Sequence, residues 1–175
     1  MATPTSLPAT FVAGNVLTAA QMNDLRGAFR ILQVASTTKS DSFTTTSATF
    51  VDVTGMSVTI TPTAATSTIY VLATLTAAHA SGHSALINLL RDSTDISQST
   101  GGASVNVTKY AKNPTAEITS FPTILFQDSP ATTSATTYKI QIATSSAGNT
   151  VAVNRRADNN TYGSTSSITV MEVSA

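Results

Sequence analysis

Residues 50–75 read FVDVTGMSVTITPTAATSTIYVLATL, and the fold turns on how they alternate. Met56, Val58 and Ile60 are apolar, while Ser57, Thr59 and Thr61 between them are hydroxylated. A period of two is that of a strand with one face on a core; a helix would need a period near 3.6. Pro62 has no backbone N–H to give a ladder and stops the run. After a six-residue turn the alternation resumes, with Ile69, Val71, Ala73 and Leu75 facing one way.

The same texture runs through most of the chain: SFTTTSATFVDV, SALINLLRDST, ASVNVTKYA, ITSFPTILFQD, TTYKIQIAT, NTVAVNRR and SSITVMEV. The breaks carry Gly101-Gly102, Asn113-Pro114, Ser129-Pro130, Ala147-Gly148-Asn149 and Tyr162-Gly163, which are turn formers. Eight or nine short strands at this spacing predict a mainly β protein, an antiparallel β-sandwich or jelly roll over residues 36–175. Some strands are apolar on both faces. Tyr70 and Leu72 lie opposite Ile69 and Val71, and Leu86 and Leu90 opposite Ile87 and Leu89. A free sandwich needs one apolar face per strand. The second face is covered either by the protein's own loops or by identical neighbours.

Residues 1–35 differ. An extended arm with two prolines leads to VLTAAQMNDLRGAFRIL, where the period becomes helical. Thr18 and Gln21 have capping-box spacing, and Leu17 and Met22 that of a hydrophobic staple. Met22, Leu25, Phe29 and Leu32 follow a 3, 4, 3 spacing, an apolar seam on one short α-helix. A helix of about 15 residues is marginal alone in water, so this one needs a partner. With Phe11, these residues are the candidate attachment and oligomerisation contacts.

Composition excludes several functions. Nine basic and nine acidic residues cancel, and 10% of the chain is charged, against roughly 25% in typical domains. Ser and Thr, nearly a third of the residues, supply surface polarity instead. No basic patch exists to displace counterions, so nucleic acid is not an expected partner. There is no cysteine for a disulfide or a thiolate metal site. No run approaches the ~18 apolar residues of a membrane span, and no signal peptide is legible, so synthesis in a cytoplasm is expected.

No catalytic or cofactor motif stands out, and no enzyme is expected. His79 and His83, in HASGH, are the only histidines. Without H-E-x-x-H, and with no Asp or Glu within ten residues on the N-terminal side, they would bind metal only if a symmetry axis supplied further ligands. Asp92 and Asp95 are spaced like paired carboxylates, but RDST after an apolar strand reads as a turn with Asp92 bonding its own backbone. G-x-S-x-G and Walker loops are absent.

The stretch TFVAGNVLTAAQMNDLR resembles the N-terminal segment of many small virion proteins of tailed bacteriophages, through Phe11, Gly14, Val16, Leu17, Thr18, Ala19, Ala20, Met22 and Asn23. The β part is similar in texture to phage fibre and appendage domains. The resemblance implies a non-enzymatic virion protein, usually a homotrimer, tied to other virion proteins by its N-terminus. One form is a tail-fibre or appendage protein whose β-sandwich contacts a host surface glycan or protein. Tyr110, Lys112, Asn159, Asn160 and Tyr162 are then the candidate contacts, polar groups beside aromatic rings. The other form is a capsid decoration protein, which the lack of a shaft repeat favours.

Overall fold

The computed structural model describes residues 31–80, 82–101, 107–112, 122–158 and 162–174, together with positions 16, 18 and 19. Of the helix expected before Ile31, only Thr18 and Ala19 are described, Ala19 in helical conformation, and the rest lies outside the described residues. From Ile31 onward the chain forms an antiparallel β-sandwich.

Twelve strands occur among the described residues: β1 (Ile31–Lys39), β2 (Phe43–Thr45), β3 (Val51–Ile60), β4 (Thr68–Thr74), β5 (Ala77–His79), β6 (Ser84–Arg91), β7 (Thr94–Asp95), β8 (Lys109–Lys112), β9 (Thr123–Asp128), β10 (Thr136–Thr144), β11 (Val151–Val153) and β12 (Ser166–Val173). One sheet has the order β1-β12-β4-β9; the other runs β3-β10-β6-β7, with β8 also on β6. A small third sheet, β2-β11-β5, completes the fold. Every pairing is antiparallel.

β1 starts earlier than the change of period suggested. Ile31 faces Val173 and Ala35 faces Val170, so residues 31–35 belong to the sandwich. Leu32, read as the last member of the helical seam, is a half-buried strand residue at a bulge between Ile31 and Gln33. Its apolar neighbours suit a strand edge as well as a helix, and the β12 ladder decides between them.

The core forms as the alternation dictates. Met56, Val58 and Ile60 of β3, Ile69, Val71 and Ala73 of β4, and Ile140 and Ile142 of β10 are buried. Each large side chain among them is worth roughly 1.5–3 kcal/mol. β3 contains a phase change invisible to a simple period. Val53 and Met56 both point inward, three residues apart, and the β10 register shifts between Lys139 and Gln141. Gly55, at φ +83°, makes this bulge possible, since positive φ strains residues that carry a Cβ. Beside it lies the stem of Lys39, buried, with its ammonium 2.8 Å from the exposed Asp41 carboxylate.

Buried polar side chains tie the parts together. Asn154, at φ +63°, donates from Nδ2 to the carbonyls of Lys39 and Asp41, and its Oδ1 accepts from Ser166 Oγ at 2.6 Å. Ser166 Oγ in turn accepts from Thr76 N. One residue thus joins the ends of β1, β4, β11 and β12. At the opposite end, Glu172 of β12 accepts from Gln33 Nε2 at 2.6 Å and from the N–H and hydroxyl of Thr63, both 2.7 Å, which anchors the β3–β4 turn.

Candidate interaction surface

The two outer faces of the sandwich differ in chemistry. On the β3-β10-β6 sheet, Lys139 and Gln141 both donate to Asp52, at 2.8 and 2.7 Å. These hydrogen bonds hold the Asp52 carboxyl below the usual carboxylate range. Further along, the chain covers its own β6. Leu90 and Asn88 are buried on the outward side, where the Thr108 hydroxyl accepts from Leu89 N and the Thr108 N–H donates to Asn88 Oδ1. On the outward side of β6 the protein's own chain thus covers Asn88 and Leu90, while Leu86 stays half-buried.

Strand β4, equally two-faced in sequence, is left open. Alternation along the four strands turns Val34, Met171, Tyr70 and Gln127 outward in one cross-strand row. The next row is Ser36, Thr169, Leu72 and Leu125, and the third is Thr38, Ser167, Thr74 and Thr123. No residue in these rows is charged. Val34 is 57% exposed and Leu125 70%, while Leu72 is also exposed. The hydroxyls bond laterally, Ser36 to Thr169 at 2.8 Å and Thr74 to Ser167 at 3.1 Å. They need less from water than free hydroxyls would, which lowers the cost of covering them.

The other candidates are scattered. Tyr110 is exposed on β8, opposite Leu86, and Lys112 ends the same strand. Tyr162 is exposed beside Gly163, which bridges to Arg155 in the segment before β12. Phe11, Leu17, Met22, Leu25, Phe29, Asn159 and Asn160 lie outside the described residues. His79 is fully buried in β5, its Nδ1 3.1 Å from the Ala80 carbonyl and its Nε2 without a partner. An enclosed imidazole is not presented to other copies, so the shared metal site considered for His79 and His83 has lost one of its ligands to the core. Among the described residues no three His, Cys, Asp or Glu side chains cluster as a metal site would require. Nor is any helix there long and apolar enough to cross a membrane.

Asp92 does occupy a turn, at φ +54° between β6 and β7, but its carboxylate accepts from Thr137 N at 2.9 Å across the sheet rather than from its own turn. Asp95 accepts from Gln98 Nε2 at 2.8 Å. The carboxylate that sequence reasoning passed over is Asp128 of β9. Its two oxygens accept from Arg91 Nη1, at 2.8 and 2.9 Å, and one of them also accepts from Tyr138 Oη at 2.6 Å. Burial, together with that bond to Asp128, pushes the Tyr138 phenol well above its ordinary range. The group joins β6 and β10 of one sheet to β9 of the other.

Sequence reasoning also passed over Val34, Leu125 and Met171. The signal was present: in TILFQD and SITVMEV, Ile124 and Phe126, like Ile168 and Val170, leave Leu125 and Met171 on the opposite face. Compared with known protein families and with curated proteins, the chain matches none.

Proposed function

We propose that the protein is a non-enzymatic structural component of a tailed-bacteriophage particle, a homotrimer held to the virion by the segment preceding β1. The observation that carries this reading is the segment VLTAAQMN, which resembles virion attachment segments and precedes a β-sandwich. The sandwich supports it by being rich in hydroxyls and poor in charge, which suits a subunit whose contacts are apolar and hydrogen-bonded. As a tail-fibre or appendage subunit it projects the sandwich outward, where exposed Tyr110 and Tyr162 are available to a host glycan or protein.

Because β1 begins at Ile31, the test is removal of residues 1–30 only. The truncated protein is expected to fold, with a normal β-type circular dichroism spectrum, and to be missing from purified particles. Normal incorporation overturns the attachment role. The second reading, capsid decoration, is favoured by the absence of a shaft repeat in the sequence. Quantitative mass spectrometry of particles separates the two: tens to hundreds of copies mean decoration, a few mean fibres.

A further inference from the structure

We infer that the outer face of the β1-β12-β4-β9 sheet is the surface on which copies of this chain pack against one another. The inference rests on the homotrimer proposed above and names the face that makes it. The alternative account of a two-faced strand, cover by the protein's own chain, is realised at β6 and not at β4, whose Leu72 remains exposed beside Leu125.

Charge selects a second copy as the occupant. A surface that meets itself around a symmetry axis brings like charges together unless it has none, and the rows containing Val34, Met171, Tyr70, Leu72 and Leu125 have none. The opposite outer face carries Lys139 and Asp52 and would pay desolvation for both on burial. Size also fits. Four strands about 4.8 Å apart and six or seven residues at about 3.3 Å give a projected face of roughly 400 Å². Three such faces turned toward a threefold axis together remove on the order of 1,200 Å² from water, the scale at which specific association begins.

The experiment is the solution mass of the full-length chain by light scattering at micromolar concentration. It is run beside Leu125→Lys, Leu72→Lys and a control, Ser57→Lys, on the other outer face. All three positions are exposed, and circular dichroism melting checks that each variant folds. The wild type and Ser57→Lys are expected at three times the 18.0 kDa chain mass, with either leucine variant shifted at least tenfold toward monomer. A monomeric wild type overturns both the trimer and the face. An oligomer indifferent to both lysines overturns the face alone, and one that Ser57→Lys dissolves equally well does the same. If the lysines leave the mass unchanged but expose residues 1–30 to protease, the segment covers its own sheet and the inference fails. A dimer that the leucine variants dissolve keeps the face and overturns the trimer, while attachment through the N-terminal segment stands on its own test.

Discussion

Glu172 shares the phase of Ile168 and Val170 along β12 and so is carried inward with them, its side chain fully buried. Burial pushes its carboxyl up, but the bonds from Gln33 and Thr63 outweigh this and leave it below the usual range; the Ser67 hydroxyl pulls the same way, although it completes no hydrogen bond of ordinary geometry. A carboxylate whose folded pKa lies below its unfolded value, about 4.3 for Glu, adds stability above that value and loses it as pH falls through the folded one. Glu172→Gln replaces an acceptor oxygen with an amide group that faces existing donors. We expect it to cost about 1–3 kcal/mol at pH 7, and the gap from wild type to narrow as the pH is lowered to about 3. Urea denaturation at both values checks this, and an equal gap at both would remove Glu172 from the acid response.

At the scale of elements, the two sheets are joined by more than apolar packing. Asp128 on β9 is buried against Arg91 on β6 and Tyr138 on β10. Arg91→Met strips the carboxylate of its cation. Breaking a fully buried pair costs about 3–5 kcal/mol, and the Arg91 side chain is 28% exposed, so we expect about 2–3 kcal/mol after water moderates the loss. Tyr138→Phe keeps the ring in the core and removes one hydrogen bond, for about 1–2 kcal/mol. The double variant should cost less than the two single losses added together, since both donors share the Asp128 carboxylate. Urea midpoints of the four proteins decide it, and strict additivity would mean that the bonds act independently.

For the whole molecule, charge is the scarce quantity. Exposed ion pairs such as Arg156–Asp158 and Lys139–Asp52 are worth around 0–1 kcal/mol each and are screened within roughly 8 Å at physiological ionic strength. Apolar burial, about 25 cal/mol per Å², is hardly weakened by salt. Attachment to the particle is therefore expected to survive a molar NaCl wash, whereas Leu25→Asp or Phe29→Asp releases the protein by burying an unpaired charge. Retention on washed particles is the measurement. Release by salt alone, with both aspartate variants still bound, would place the adhesive surface elsewhere.

Local alternation was enough to make this an all-β chain and to choose the inward residues of β3 and β4, because a strand's two faces are set by neighbours two positions apart. Met56, Val58, Ile60, Ile69, Val71 and Ala73 are all buried as their spacing requires. Spacing could not say which residue pairs form. The start of β1 at Ile31 depends on β12, more than 130 residues away, and the bulge at Gly55 depends on the register of β10. Nor could it distinguish β4 from β6, two strands with the same two-sided apolar pattern. Only the tertiary structure brings Thr108 back onto Asn88, buries Leu90 and leaves Leu72 and Leu125 exposed. The polar ties at Asp128, Asn154 and Glu172 were illegible for the same reason: a lone Asp, Asn or Glu in a strand reads as solvated until the fold brings its donors from distant strands.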